Sequence, residues 1–246
     1  MHVITGASSG IGRGIARTLA LRGQPVLAVA RSEEALAALA ADHRDHIRTL
    51  TADVATPEGR ARLVDAAGSA AVSVVHAAGS LVALSAYDRL DTRDLLDDMA
   101  VHVAAPIEIN QRLLRHAQAP LRIVFVDSYS ATTARVGWAG YSIVKAAAQM
   151  AARCAAAELT GARVIRVFPG AVRTPLLAAV LGDRSGSPAT ATYAALADEG
   201  KVAEPEAIGD FVGRILIDTP DDLLDARESW DFNDTADHAA LRALER

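Results

Sequence analysis

Residues 5–12 read Thr5-Gly6-Ala7-Ser8-Ser9-Gly10-Ile11-Gly12, so that three of these eight positions are glycine. The apolar residues 3–5 predict a short strand, and residues 14–22 predict a helix that ends at Gly23. A glycine-rich turn between a strand and a helix exposes backbone N–H groups where the helix dipole attracts negative charge. The segment therefore predicts a phosphate-binding loop, although a purely structural turn can also contain three glycines.

The alternation of strand and helix continues along the chain. Predicted strands cover residues 26–30, 47–51, 71–76, 121–126 and 162–168. Predicted helices cover residues 33–41, 90–115 with an interruption allowed near Pro106, 140–159 and 206–217. Strands separated by helices predict an α/β protein with a Rossmann-type, doubly wound parallel sheet that carries helices on both faces.

The length and composition fit one domain around one core. The chain has 246 residues, of which 51% are hydrophobic, and it shows no internal repeat or linker-like stretch. We therefore expect residues 1–246 to form a single domain. Residues 176–201 are less regular and follow the last long strand, which predicts a lid over a substrate; the alternative is a plain surface excursion.

Charge and cysteine content restrict the function classes. The net charge is −5 and the basic residues are scattered, which argues against nucleic acid and anionic membranes as partners. No apolar run reaches the roughly 18 residues of a membrane span, and the early glycine-rich segment leaves no room for a signal peptide. The single cysteine, Cys154, lies in an alanine-rich helical run, where we expect it to be buried. We expect a cytoplasmic protein.

Histidines 43 and 46 do not predict a metal site. His43 and His46 lie in a polar connection between a helix and a strand, and no matching ligand cluster occurs elsewhere in the sequence. A solvated connection is the better interpretation, and no metal is expected.

The second predicted strand ends at Ala30-Arg31-Ser32. In dinucleotide-binding sheets this end lies beside the adenosine ribose, where an acidic residue binds the 2′-hydroxyl of NAD and an arginine accommodates the 2′-phosphate of NADP. Arg31 and Ser32 therefore favour NADP(H) over NAD(H), with Arg13 as a second cation. Alternatively, Arg31 is only a solvated residue and Ser32 only the N-cap of the next helix.

Tyr141 and Lys145 lie four residues apart in a predicted helix, which places both on one face. Free tyrosine has a pKa of about 10, and a nearby ammonium lowers that pKa by stabilising the phenolate. Such a pair also occurs by chance on a wet helix face. Ser128 lies thirteen residues before Tyr141, directly after a predicted strand, and adds a hydroxyl to the set; Ser130 competes for this role.

The Thr-Gly-x-x-x-Gly-x-Gly segment and the order Ser128, Tyr141, Lys145 resemble the short-chain dehydrogenase/reductase (SDR) family, and the motifs follow the family's order along nearly the whole chain. The resemblance implies that Ser128 hydrogen-bonds a substrate carbonyl, that Tyr141 transfers the proton and that Lys145 also binds the nicotinamide ribose. The implied cofactor-binding residues are Gly6, Ser8, Ser9, Gly10, Ile11 and Gly12 at the phosphates, Asp53 and Val54 at the adenine, Ala78 and Gly79 along the cofactor, Tyr141 and Lys145, and Pro169, Gly170, Val172 and Thr174 near the nicotinamide.

Two segments depart from the family pattern. Residues 76–79 read His-Ala-Ala-Gly where the family has Asn-Asn-Ala-Gly, so a contact expected from the second Asn is lost or made by another group. His102 stands where the family has an Asn that supports a water chain to the Lys. Because an imidazole can donate and accept hydrogen bonds, His102 is a candidate catalytic residue. The alternative is a core histidine with a local partner.

These inferences predict an NADP-dependent oxidoreductase that moves a hydride between a nicotinamide cofactor and a carbonyl or alcohol substrate, with Tyr141 as the acid/base. A cofactor-binding regulatory protein with little catalysis stays open, as does a related dehydratase or epimerase. Residues 229–234 are similar to sepiapterin and benzil reductases, which implies a diketone reductase as a variant. The family resemblance also implies a homotetramer or homodimer, and the alanine-rich residues 146–157 would permit close helix packing.

Overall fold

The structure is a computed structural model that describes residues 1–79, 85–182 and 188–244, apart from the side chain of residue 189. Within these residues a single seven-stranded parallel sheet has the strand order β3-β2-β1-β4-β5-β6-β7. The strands are β1 (His2–Thr5), β2 (Val26–Ala30), β3 (Ile47–Thr51), β4 (Ser73–His76), β5 (Leu121–Val126), β6 (Ala162–Phe168) and β7 (Trp230–Asp231). The order reverses between β1 and β4, as in doubly wound Rossmann-type sheets. The predicted fold class is confirmed.

Helices connect the strands and cover both faces of the sheet. The helices of the described residues are α1 (Gly10–Leu21), α2 (Glu33–Ala41), α3 (Pro57–Ala67), α4 (Thr92–Met99), α5 (Ala105–His116), α6 (Ala139–Glu158), α7 (Pro175–Gly182), α8 (Pro188–Asp198), α9 (Pro205–Ile217), α10 (Asp221–Asp225) and α11 (Thr235–Ala243). Side chains alternate along each strand, so that neighbours such as Val3 and Ile4 enter different cores. Ile4 packs with residues of α1 and α9, and Val3 packs with residues of α3, α5 and α6.

Helices α1 and α9 touch backbone to backbone. A Cβ atom on Gly14 would overlap the carbonyl of Pro205, and one on Gly209 would overlap the carbonyl of Gly14. Neither position therefore accepts a larger side chain without moving the helices apart. This close packing fixes the N-terminal part of α1, and with it the glycine-rich loop that precedes the helix.

The region predicted as one helix over 90–115 is divided. Helix α4 ends at Met99, a π-helical turn covers Ala100–Ala104, and α5 starts at Ala105. The interruption expected near Pro106 is therefore present: Pro106 lies in the first turn of α5 and lacks the N–H that would bond to the preceding turn. The irregular turn lies just before it and contains His102.

Helix α3 and strand β7 were not predicted. Thr56 caps α3 by accepting a hydrogen bond from the Gly59 N–H at 3.0 Å, and Pro57 supplies the first helical turn. The segment is polar and short, so its apolar periodicity is weak. The segment predicted as irregular, 176–201, contains helices α7 and α8, and its residues 183–187 lie outside the described residues.

The expectation that Cys154 is buried is wrong, because its side chain is exposed. The buried positions of α6 include Val144, Ala148 and Ala152, spaced four residues apart. Cys154 follows the last of them by two positions, and a helix turns about 200° over two residues, which directs the thiol away from the sheet.

No helix in the described ranges combines the length and the apolar character needed to cross a bilayer.

Candidate active site

A large cleft runs along the carboxyl edge of the sheet. Its cavity volume is about 1710 Å³, which exceeds the roughly 300–1,000 Å³ of typical small-molecule pockets and leaves room for an extended ligand. Residues that follow six different strands line it, in chain order Gly6, Arg31, Asp53, Ala78, Ser128 and Pro169. Motifs far apart in the sequence meet here because parallel strands present their carboxyl ends at one edge.

The glycine-rich loop is held between β4 and α1. Gly6 has a φ of +69°, and a Cβ atom there would lie 2.6 Å from the carbonyl oxygen of Ala77. A Cβ on Gly12 would overlap the carbonyl of Gly6. Ser8, Ser9, Gly10 and Ile11 line the cleft. The N-cap of α1, Ser9, makes no capping bond with its side chain, so the first N–H groups of α1 and this hydroxyl fit an anionic phosphate.

Thr5 makes a contact that ties β1 to the end of β4. Its hydroxyl donates to the carbonyl of Val75 at 3.2 Å and accepts from the N–H of Ala78 at 3.1 Å. These bonds fix the backbone of residues 77–79, where the family pattern has an asparagine that this chain lacks. The threonine immediately before Gly6 thus holds together the two segments that approach the cofactor position.

His76 is a structural neighbour of the cleft. Its Nε2 lies 2.8 Å from Oδ1 of buried Asn110, and its ring packs 5.0 Å from that of Phe125. Burial lowers the pKa of His76 to about 4, against a smaller opposing effect of the hydrogen bond to Asn110. The imidazole is therefore neutral at pH 7.

The predicted adenosine end contains one exposed cation. Arg31 is exposed and lines the mouth of the cleft. The Ser32 hydroxyl accepts from the Ala35 N–H at 3.2 Å and so acts as the N-cap of α2. Neither Ser32 nor Arg13, which is exposed on α1, belongs to the residues that line the cleft.

Asp53 and Val54 both line the cleft after β3. One carboxylate oxygen of Asp53 accepts from the N–H of Ala55 at 2.9 Å, which holds the turn in place. This pair therefore lies where the adenine contact was expected.

The structure brings Ser128, Tyr141 and Lys145 together. Ser128 and Tyr141 both line the cleft, with the Ser128 hydroxyl near enough to lower the pKa of Tyr141, and Lys145 follows one helical turn after Tyr141 on α6. The Lys145 ammonium donates to the carbonyl of Val126 at 2.7 Å, at the end of β5. Ser130, the competing candidate, is buried and does not line the cleft. Ser128 is therefore the serine that faces the reaction space.

The pKa of Tyr141 lies above its ordinary value, not below it as the nearby Lys145 ammonium led us to expect. Burial raises the pKa of Tyr141 to about 12, while the hydrogen bond with Ser128 acts in the opposite direction. Burial lowers the pKa of Lys145, and the carboxylate of Asp127 opposes that shift. At neutral pH the Tyr141 phenol keeps its proton and can donate it to an oxygen that gains negative charge.

His102 lies beside this set. Its ring packs against Gly79, where an added Cβ would lie 3.1 Å from the ring Cε1. His102 lines the cleft and also, with Lys145, a small cavity of about 20 Å³, which has room for about one water molecule. Because His102 lies in the π-helical turn, its side chain points in a different direction from the one that a regular α-helix would give it.

Sequence reasoning missed Trp138. This buried indole stacks on Tyr193 of α8 with ring centroids 5.4 Å apart, and it meets Tyr141 edge-on at 5.5 Å. It therefore connects the predicted lid to the catalytic helix. Trp138 is the N-cap residue before α6, and the signal available in the sequence was a large aromatic residue three positions before Tyr141.

Beyond β6, Pro169, Gly170, Val172 and Thr174 all line the cleft. Gly170 has a φ of +70° and lies tightly against the Asn233 amide. The Thr174 hydroxyl accepts from the N–H of Leu177 at 3.1 Å, so it already caps the start of α7.

Three comparisons bear on identity. Residues 1–185 match the protein family described as short chain dehydrogenase. A sepiapterin reductase from Xenopus tropicalis is 34% identical over 194 residues, covering 71% of this chain and 74% of that protein. The crystal structure of the KRED1-Pglu enzyme is similar with a TM-score of 0.82 and 27% identity, covering 90% of this chain and 97% of that one.

A further solved structure, a single-residue variant of the actinorhodin polyketide ketoreductase with NADPH, has a TM-score of 0.79 and 26% identity over 94% of both chains. The family match covers three quarters of this chain and includes the glycine-rich loop, Ser128, Tyr141 and Lys145. The protein is therefore a member of the short-chain dehydrogenase family of oxidoreductases.

Proposed function

We propose that this protein is an NADP-dependent carbonyl reductase or alcohol dehydrogenase. The observation that carries the proposal is that Ser128, Tyr141 and Lys145 line the same cleft as the glycine-rich loop. A protein that only binds a nucleotide has no use for such a proton-transfer set. The cofactor, when bound, supplies or accepts the hydride.

The residues present fit a phosphorylated dinucleotide. The loop around Gly6 packs directly on the backbone of residues 77 and 78, and the N-terminus of α1 offers free N–H groups to phosphate. Arg31 would hold a 2′-phosphate at the cleft mouth. Asp53 would lie near the adenine, and Pro169 near the nicotinamide.

The catalytic side chains of this protein would act on the carbonyl oxygen of the substrate. In carbonyl reduction, Ser128 would donate a hydrogen bond to the substrate oxygen and Tyr141 would deliver its phenolic proton as that oxygen becomes an alkoxide. The positive charge of Lys145 would stabilise the phenolate left behind and hold the nicotinamide ribose. In alcohol oxidation, each proton would move in reverse.

A substrate screen tests this proposal. The purified protein is incubated with NADPH or NADH and a panel of ketones, aldehydes and dicarbonyls, and with NADP⁺ and the matching alcohols, while the absorbance of the reduced nicotinamide reports turnover. We expect NADPH-dependent reduction of at least one carbonyl class. Tight NADPH binding without turnover across the panel would instead favour the regulatory protein.

The similarity to the Xenopus tropicalis sepiapterin reductase favours dicarbonyl substrates as a second candidate. The substrate half of the cleft has an apolar wall from Leu176, Leu177, Val180 and Trp138, which suits hydrophobic groups beside a reactive carbonyl. Sepiapterin and benzil in the panel would separate this candidate from reduction of simple ketones. We further propose that residues 176–201 act as the lid of a single domain.

The assembly proposal is a homodimer or homotetramer through α6. Ile143 and Met150 on this helix are 40% and 56% exposed, and Ile107 on α5 is 43% exposed. Exposed apolar side chains of this size favour contact with a second copy. Size-exclusion chromatography with light scattering measures the mass in solution.

Arg31→Asp is expected to change the cofactor preference. The substitution removes the cation for a 2′-phosphate and introduces a carboxylate that can bind a 2′-hydroxyl. Because a charge-assisted hydrogen bond contributes about 1.5–3 kcal/mol, kcat/KM for NADPH should fall about 10- to 100-fold, whereas that for NADH should hold or rise. Arg44→Asp is the matched control, since Arg44 is exposed and lies away from the cleft. An unchanged NADPH:NADH ratio in Arg31→Asp would refute the assignment.

His102→Ala is expected to lower kcat and alter its pH dependence, because the imidazole borders both the cleft and the small cavity beside Lys145. A proton relay of this kind contributes about 10- to 100-fold. His102→Asn, which keeps a donor and an acceptor, should restore much of the rate. Steady-state kinetics from about pH 6 to about pH 10 provide the measurement, a range that spans the titration of free histidine and free tyrosine. If His102→Ala keeps the wild-type kcat and pH profile, the residue is only a packed histidine.

A further inference from the structure

A buried ion pair lies directly behind the proposed catalytic residues, and the reaction as described does not use it. Asp127 is 6% exposed and Arg166 is 5% exposed. Oδ2 of Asp127 lies 3.3 Å from the Arg166 guanidinium and accepts from the Gln149 amide at 2.9 Å. Burying such a pair is costly, and an apolar pair of similar volume is often at least as stable. Stability alone is therefore a weak reason for its presence.

The Asp127 carboxylate also organises the loop that carries Ser128. Its Oδ1 accepts from the Ser128 backbone N–H at 2.7 Å, and its own backbone N–H donates to the Val167 carbonyl at 2.8 Å. The backbone of residue 127 thus continues the pairing of β5 with β6, and its side chain fixes the turn that begins at Ser128. The residue before it, Val126, provides the carbonyl that accepts from Lys145. One short segment therefore determines the positions of both Ser128 and the Lys145 ammonium.

Arg166 and Gln149 determine where this carboxylate lies. Arg166 reaches from β6 and is held on its other side by Glu228 at 2.7 Å. Gln149 lies one helical turn after Lys145 on α6, and both residues line the small cavity together with Asp127. The carboxylate is thereby held both from β6 and from α6.

We infer that Asp127 is a positioning residue for the reaction, acting as the buried counter-charge of the Lys145 ammonium and as the tether of the Ser128 loop, with Arg166 and Gln149 fixing its carboxylate. This inference rests on the proposed function. The negative charge opposes the loss of the Lys145 proton that burial favours. The titratable groups around Lys145 and Tyr141 are Asp127 after β5, His76 on β4, Asp98 on α4, His102 in the π-helical turn and Tyr193 on α8.

The direction of the effect on pH dependence follows from the charges. Removing the Asp127 charge lowers the pKa of Lys145, because its ammonium loses a counter-charge. It also removes an influence that raises the pKa of Tyr141. Carbonyl reduction needs both groups protonated, so the alkaline limb of the rate profile should move to lower pH.

The test variant is the double substitution Asp127→Asn with Arg166→Met, which removes both charges and leaves no buried ion unpaired. The amide oxygen introduced at position 127 can still accept from the Ser128 N–H. We expect the apparent pKa of the alkaline limb of the kcat/KM profile to decrease by about one pH unit or more. At about pH 8, kcat should fall about tenfold. The KM for NADPH should stay within about twofold of the wild-type value. The control is a second double substitution, Asp218→Asn with Arg22→Met, because this ion pair at 2.6 Å lines neither the cleft nor the small cavity; its profile should match the wild type.

A second readout does not depend on turnover. Competitive acetylation of the unliganded protein across pH, with peptide mass mapping, gives the pKa of Lys145, which should be lower in the double variant than in the wild type. A folded double variant with the wild-type kcat, pH profile and Lys145 labelling curve would show that the network is only structural. If the wild type shows no turnover but the Lys145 labelling curve of the double variant is shifted, the proposed function is rejected. The role of Asp127 towards Lys145 is then retained.

Discussion

Tyr141→Phe should lower kcat by about 10²- to 10⁴-fold, which is the usual contribution of a positioned general acid. The substitution removes only the phenolic hydroxyl and leaves the ring in its edge-on contact with Trp138. Packing is therefore conserved, and NADPH affinity should stay within a few-fold. Steady-state kinetics together with a fluorescence titration of NADPH separate the two quantities.

Tyr87→Phe is the matched control for this prediction. Tyr87 is 79% exposed and lies outside the cleft lining, so the same chemical change should leave kcat unaltered. Full activity of Tyr141→Phe would mean that another group delivers the proton, and the assignment of Tyr141 would be withdrawn. A loss of NADPH binding that matches the loss of rate would assign Tyr141 to cofactor binding instead.

Gly6→Ala should abolish measurable cofactor binding, with a loss of affinity of about 100-fold or more, because small displacements of a phosphate-binding backbone have effects of this size. The new methyl group would lie 2.6 Å from the Ala77 carbonyl oxygen and 2.7 Å from Ala78 Cα. These are backbone atoms and cannot rotate away, so the loop must move off β4. NADPH titration and urea unfolding measure the two consequences.

Gly23→Ala tests whether the expected effect of Gly6→Ala comes from the clash of the new Cβ with residues 77 and 78 or from the positive φ. Gly23 has a φ of +72°, close to that of Gly6, but nothing lies within 4 Å of an added Cβ. This variant should lose on the order of 1 kcal/mol in the free energy of unfolding and keep its affinity for NADPH. Equal effects on NADPH affinity in the two variants would show that the close approach to β4 does not determine the loop's function.

Several features were predictable because they depend on local sequence alone. Predominantly apolar runs indicated the bounds of β2, β5 and β6 as the structure has them, since buried parallel strands are almost continuously apolar. The segment over residues 5–12 indicated the loop by its glycines, because positive φ and close backbone approach favour that residue. The spacing of Tyr141 and Lys145 indicated a shared helix face.

Other features appear only when distant segments meet. The role of Thr5 as a link to Ala78 and the Asp127–Arg166 pair join residues that are 73 and 39 positions apart. The stacking of Trp138 on Tyr193 likewise joins two different helices. No local pattern reports such contacts.

The sequence by itself determined the strand–loop–helix unit around Gly6, the alternation that builds the parallel sheet and the residue types of the proton-transfer set, because each depends on periodicity, backbone conformation or a fixed spacing. The tertiary structure decided which hydroxyl faces the cleft, Ser128 rather than Ser130, and which charges surround Lys145. Both depend on how β5, β6 and α6 pack together, and packing sets burial and distance, which in turn set the pKa values of the groups proposed to exchange the proton.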